Sequence, residues 1–176
     1  ARRIAYVPQL QRISSLTVFD TVLSGRRGAY SFLPGKSDRK RTESIIEQLG
    51  IADLAAKKTY ELSGGELRKV SVARALCSDA KLILMDEPTA NLDIGGAVKL
   101  IETIKDISEQ NRVTFIVTMH DISLASRFSD KIILMKNGTV SATGGTEILT
   151  PEKIKEVYGI DASVHDLHGT TVAIPK

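Results

Sequence analysis

Two carboxylates in direct succession, Asp86 and Glu87, close the apolar run Leu82-Ile83-Leu84-Met85 and are followed by Pro88. A buried strand ending in acids can set a divalent cation and a general base beside a phosphate. One helix length earlier stands Leu62-Ser63-Gly64-Gly65-Glu66, a glycine-bearing helix start. There the unpaired N–H groups, the helix dipole and the Ser63 hydroxyl can face an anion, and two glycines permit close approach. Together the two strings imply chemistry on a nucleoside triphosphate. Three further residues are candidates by position: Gln9 after Tyr6-Val7-Pro8, Asp93 closing Asn91-Leu92-Asp93, and His120 just before Asp121. Singly, each has a plainer reading as a solvated acid pair, a serine cap or a polar residue flanking a helix.

The elements that must position these residues follow from periodicity. Arg3 to Pro8 alternates as a strand and stops at proline. The stretch from Gln9 to Lys36 is loop-rich, with a short helix over Leu16–Leu23. Ser37 or Asp38 is expected to cap a helix running to about Leu49. A second helix is expected from Ser63, with Leu67, Val70, Ala73 and Leu76 on its buried face and Glu66, Arg68 and Lys69 turned away. Leu82–Met85 reads as a strand covered on both faces, Asp93 to about Gln110 as a helix, and Val113–Thr118 as a second buried strand. Ile122–Phe128 is a short helix, and Lys131–Met135 a third strand turning at Asn137-Gly138 into a hairpin. Pro151 marks a helix start in the tail, and Val164–Ile174 a last hairpin around His168-Gly169. Strands alternating with helices predict an α/β fold with a mainly parallel sheet and right-handed crossovers.

Composition narrows the partners. The 176 residues carry 42% hydrophobic and 26% charged side chains, the balance of a globular protein with a real core. The net charge of +3 is mild and its basic residues are scattered, which argues against a nucleic-acid partner. Cys77 is the single cysteine, so no internal disulfide forms; it reads as a small core residue in a reducing compartment. No apolar run reaches bilayer length, and no signal peptide is expected.

Tyr-Val-Pro-Gln at 6–9, Leu-Ser-Gly-Gly-Glu at 62–66, Leu-Ile-Leu-Met-Asp-Glu-Pro at 82–88, Asn-Leu-Asp at 91–93 and His120 stand in one order and one set of spacings. That order resembles the ATP-binding cassette family of ATPases. The resemblance implies a P-loop NTPase-like sheet with an inserted helical subdomain, and ATP and Mg²⁺ as cofactors. It further implies an organisation of residues 10–80 as loop and helical subdomain, 81–143 as catalytic α/β core and 144–176 as helical tail and hairpin. By the same resemblance Gln9 is similar to the Q-loop glutamine that senses the γ-phosphate and metal. Ser63, Gly64, Gly65 and Glu66 are similar to the signature segment that faces the nucleotide of the opposite subunit. Asp86 is similar to the metal-holding Walker B aspartate, Glu87 to the general base, Asp93 to the D-loop aspartate and His120 to the switch histidine.

Gly35-Lys36-Ser37 imitates the end of a phosphate-binding loop, but the glycine required five residues earlier is Tyr30, and no strand precedes it. The family's own phosphate loop precedes Gln9 in chain order, so the first strands and that loop are expected upstream of Ala1. Without them the 176 residues alone are expected neither to bind ATP tightly nor to turn it over, and to leave a gap beside Leu82–Met85.

The compact interval from Gln9 to Ser63 has no heptad insertion, which separates it from relatives that carry a coiled coil there. Glu66 and the loop Leu16 to Arg27 resemble bacterial or archaeal importers, and the stretch Thr17–Arg26, with the tail Thr150–Gly159, is similar to importers of iron–siderophore, haem and cobalamin complexes. The implied protein is a peripheral ATPase on the cytoplasmic face of the cell membrane, paired with integral permease subunits and a second nucleotide-binding subunit. The alternatives are a non-transport cassette ATPase of translation or repair, and a degenerate partner lending only its signature face.

Overall fold

A computed structural model describes residues 4–9, 13–28, 33–90 and 92–176. Arg3, Tyr30 and Asn91, each used in the sequence argument, lie outside these described residues. The chain divides into two compact units, Ala1–Thr118 and Met119–Lys176.

The first unit is built on a parallel sheet of β1 (Ile4–Val7), β2 (Leu82–Asp86) and β3 (Thr114–Thr118), in the order β1-β2-β3. Its register aligns Tyr6 with Leu84 and Ile116, and Val7 with Met85 and Val117. Because side chains alternate, Val7, Ile83 and Met85 point to a covered face and are at most 2% exposed. The other face carries Ile4, Tyr6 and Ile116, all exposed, with Leu82 and Leu84 half-buried between them. This corrects the expectation of strands covered on both sides: β2 is buried on one face and β3 alternates between half-buried and exposed.

Three helices pack together in the same unit: α1 (Val18–Leu23), α2 (Lys36–Gln48) and α3 (Gly64–Cys77). Val18, Val22, Ile45, Ile46, Val70 and Val72 form the interior between them. Thr17 caps α1 through its hydroxyl on the Asp20 N–H at 3.0 Å. The start of α2 differs from expectation: Gly35 is the cap position, and Asp38 lies in the first turn. The Asp38 carboxylate accepts from the Gly35 N–H at 2.9 Å and from Arg26 Nε at 2.9 Å. Both bonds hold its pKa below the usual carboxylate value, the backbone one most. The N-terminus that imitates a phosphate loop is therefore already filled by a buried carboxylate of its own helix. Cys77 is fully buried against the Thr42 hydroxyl at 3.4 Å, and burial pushes its thiol pKa up, as a core cysteine requires.

Helix α4 (Ile94–Asn111) follows, burying Ala97, Leu100, Ile101, Ile104 and Ile107 along one stripe. It ends at Arg112, which takes the left-handed conformation with φ 51°.

In the second unit, α5 (Ile122–Phe128) is capped by Asp121, whose Oδ1 accepts from Ser123 and Leu124 N–H. Strands β4 (Ile132–Lys136) and β5 (Thr139–Gly144) pair with each other as an antiparallel hairpin and do not extend the parallel sheet. Asn137 and Gly138 both have positive φ, as a two-residue turn matched to the strand twist requires. Ile132, Leu134 and Leu149 form the core there. Helix α6 (Pro151–Tyr158) is capped by Thr150 and ends at left-handed Gly159. Strands β6 (Ala162–Leu167) and β7 (Thr170–Pro175) close the unit as a hairpin turning at His168-Gly169. It is pinned to α5 by the Ser126 hydroxyl, which accepts from the Thr171 N–H at 2.9 Å and donates to the Thr171 carbonyl at 3.0 Å.

Candidate functional site

The parallel register of β2 and β3 brings Asp86 level with Thr118 at the carboxyl end of the sheet, the end at which open α/β sheets bind ligands. One hydroxyl organises the pair of acids. Thr118 Oγ1 donates to Asp86 Oδ1 at 2.7 Å and accepts from the Glu87 N–H at 2.9 Å. Glu87 has left the strand and holds φ 45°, a left-handed conformation that glutamate rarely adopts and that surrounding contacts must enforce. This turn aims the two adjacent carboxylates at separate partners. Tyr6 OH lies 3.4 Å from Asp86 Oδ2, a long contact, while Gln9 Nε2 donates to Glu87 Oε2 at 2.7 Å. Gln9, Asp86 and Glu87 are thus gathered in one place, as the sequence argument required. Both acids are half-buried, and Gln9 is exposed.

Arg68 contradicts the helical-wheel reading that turned it to solvent. It is 5% exposed, and its Nη1 donates to the Pro8 carbonyl at 3.1 Å. Burial lowers the guanidinium pKa, and the charges of Asp86 and Glu87 act against that lowering. Helix α3 buries Leu67, Arg68, Val70, Val72, Ala73, Ala75, Leu76 and Cys77, residues that run almost all the way round it. A wheel drawn on one apolar stripe cannot find the buried polar position of such a helix. Thr118 was missed for a different reason: its partners are set by strand register, which no local spacing encodes.

At the other end of α3, Ser63 is the cap residue and Glu66 answers it. Glu66 Oε2 accepts from the Ser63 N–H at 2.7 Å and from the Ser63 hydroxyl at 2.7 Å, a reciprocal capping box. The bonds from Ser63, the hydroxyl's first, hold the Glu66 pKa below the ordinary glutamate value. Gly64 faces open space, whereas a Cβ on Gly65 would stand 3.1 Å from Leu92 Cδ2. The head of α3 and the residue before Asp93 therefore lie close together. Asp93 itself caps α4, its Oδ1 accepting from the Gly96 N–H at 2.6 Å. Its carboxylate serves the fold as well as any interface. His120 belongs to the second unit, exposed, one residue ahead of the α5 cap Asp121.

Known proteins resemble this chain in sequence and in fold. Residues 1–90 match the family model described as ABC transporter. An uncharacterized ABC transporter ATP-binding protein of Methanocaldococcus jannaschii is 42% identical over 175 residues, covering 99% of this chain and 69% of that protein. A phosphonates import ATP-binding protein of Oceanobacillus iheyensis is 34% identical, covering 84% of this chain and 60% of its own length. A cobalamin import ATP-binding protein of Halobacterium salinarum is 32% identical, and the chain spans 42% of it. Among solved structures, a metal-chelate type ABC transporter in an inward-facing conformation superposes with a TM-score of 0.88 at 26% identity, over 99% of this chain and 73% of that one. A dimeric bacterial ABC transporter cassette superposes with a TM-score of 0.71 at 30% identity, over 81% of this chain and 62% of that one. With the family model matched over residues 1–90, and 99% of its length aligned to a relative at 42% identity, the chain belongs to the ABC transporter family, as an ATP-binding domain.

Proposed function

We propose that this chain is the greater part of an ATP-hydrolysing subunit of a membrane importer, and that residues 86 and 87 divide the chemistry between them. The observation that supports this most directly is the Gln9 amide on Glu87 beside an Asp86 fixed by Thr118. Asp86 and Gln9 would hold Mg²⁺, which when bound would neutralise charge on the phosphates. The donor set suits that ion: it favours oxygen ligands, and it takes one or two protein carboxylates and completes its shell with water and phosphate. Among the described residues no three His, Cys, Asp or Glu side chains gather as a closed metal cage.

Glu87 then takes the proton of a water as that water's oxygen bonds to the γ-phosphorus and the bond to the bridging oxygen of ADP breaks. His120 steadies the γ-phosphate and the water. Ser63, Gly64, Gly65 and Glu66 present the α3 N-terminus to the nucleotide of a second subunit, and Asp93 lies at that subunit boundary. Residues 10–80, 81–143 and 144–176 act as helical subdomain, catalytic core and tail. No helix among the described residues is long and apolar enough to cross a membrane, which fits a subunit lying against permease subunits at the cytoplasmic face.

For the solute we favour a metal chelate or corrinoid of the iron–siderophore, haem and cobalamin kind. Support comes from the superposition on a metal-chelate type transporter over 99% of the chain. A phosphonate importer is the second reading, favoured by the relative at 34% identity. Glu87→Gln in the protein that carries this chain decides the chemistry: turnover should fall at least about 100-fold with KM nearly unchanged. Turnover that survives the substitution defeats the proposal. Uptake of labelled cobalamin, ferric chelate and methylphosphonate by cells lacking and regaining the gene separates the solutes.

A further inference from the structure

We infer that Arg68 is a positioning residue that, through the Pro8 carbonyl, keeps the Gln9 amide on Glu87 and so ties the Ser63-Gly64-Gly65 helix to the chain's own hydrolytic carboxylate. The inference rests on the proposed role of Glu87 as base. Arg68 lies one turn into α3, below the glycines that open that helix. A buried guanidinium is costly unless something compensates it. Among the described residues the compensation includes a hydrogen bond to a carbonyl and the field of two carboxylates. The carbonyl is that of Pro8, whose ring restricts the turn, and the next residue is Gln9, whose amide sits 2.7 Å from Glu87 Oε2. A shift of α3 must therefore pull on the Pro8-Gln9 peptide, and a shift of Gln9 must pull on α3. The helix end that faces one nucleotide and the carboxylate that serves another are thus joined through Arg68, Pro8 and Gln9.

A merely structural arginine would fill space and satisfy Pro8 without regard to Gln9. A double-mutant cycle distinguishes the two. In the protein that carries this chain, Arg68→Met should lower kcat about 10- to 100-fold and leave KM within about 2-fold, as a misaligned reacting group does. In a Gln9→Ala background the same substitution should add little further loss. Arg68→Lys can still offer one donor to Pro8 and should stay within about 3-fold of the parent kcat. Equal losses in both backgrounds, or no loss in the first, overturn the inference. The side-chain amide of Gln9, observed by ¹⁵N NMR and assigned through Gln9→Asn, gives a readout that needs no turnover. Its resonance should move in Arg68→Met and return in Arg68→Lys, and an unmoved resonance in Arg68→Met also overturns the inference. Should the parent protein show no hydrolysis, the NMR arm still decides the positioning while the assignment of Glu87 alone fails.

Discussion

A single hydroxyl, that of Thr118, does two jobs at the carboxyl end of the sheet, and its removal separates them. Thr118→Val keeps the β-branched shape that suits a strand but leaves Asp86 Oδ1 without its donor and the Glu87 N–H without its acceptor. The expected cost is roughly 1–3 kcal/mol of stability, for one bond to a carboxylate and one between neutral groups at a partly exposed site. Turnover should suffer more than stability, because Glu87 is held at φ 45° against its own preference and a small misplacement of a reacting group is expensive. Thr118→Ser, which restores the hydroxyl, should recover most of the activity. Urea melts read the first effect and steady-state ATPase assays the second. Glu66 allows a pH prediction. Its carboxylate accepts two bonds from Ser63, and its folded pKa lies below the usual glutamate value of 4.5. A depressed folded pKa adds stability above the unfolded value and loses it as pH falls through the folded one. The protein should therefore weaken on acidification below about pH 4.5. Glu66→Gln, which cannot titrate, should show a flatter urea midpoint over that window.

The elements respond to two glycines in opposite ways. A Cβ at Gly25 would stand 2.1 Å from the Arg74 carbonyl oxygen, a backbone atom of α3 that cannot move aside. Gly25→Ala should therefore prise the Ser24–Gly28 turn off the helix and destabilise the protein by roughly 2–4 kcal/mol, read as a lower melting midpoint. Nothing lies within 4 Å of a Cβ at Gly64, so Gly64→Ala should leave the melt unchanged and still reduce turnover by crowding the approach of an anion. The contrast shows what sequence could reveal. Helix α3 was legible because serine, two glycines and glutamate make a capping box with a known geometry, and β2 because an apolar run ended in acids. The cap of α2, expected at Ser37 or Asp38, was misplaced: the helix starts earlier, and the Asp38 carboxylate reaches back from the first turn to the Gly35 N–H and to Arg26. Arg68 was misplaced because α3 is buried nearly all round, and the coverage of β2 and β3 because apolar runs do not say which face will be packed. The Gln9, Asp86 and Glu87 gathering was anticipated through motif order. Thr118, which pins it, depends on pairing between strands over thirty residues apart.

At the scale of the whole molecule the decisive issue is which nucleotide each half of the site serves. Ser63 and Gly65 sit at the head of α3, while Asp86 and Glu87 sit at the end of β2. A two-fold pair of subunits would join the acids of one chain to the glycines of the other, an isologous contact in which each nucleotide is shared. Complementation tests this directly. Protein carrying Ser63→Arg alone should be inactive, since a bulky cation now blocks every signature face; protein carrying Glu87→Gln alone should be inactive, since every base is lost. In a mixed pair, one site inherits both defects and the other inherits neither. Random re-pairing of equal amounts makes half the dimers mixed, and half of their sites are intact. Activity should then return to about a quarter of the parent value, if the sites act independently. Sites formed within a single chain would predict no recovery at any mixing ratio. The Arg68–Pro8–Gln9 connection adds a second expectation: the regained activity should fall when Arg68→Met is placed on the subunit that supplies the intact Glu87. Placed on the other subunit it should have less effect, because there Gln9 already stands beside the Glu87→Gln side chain.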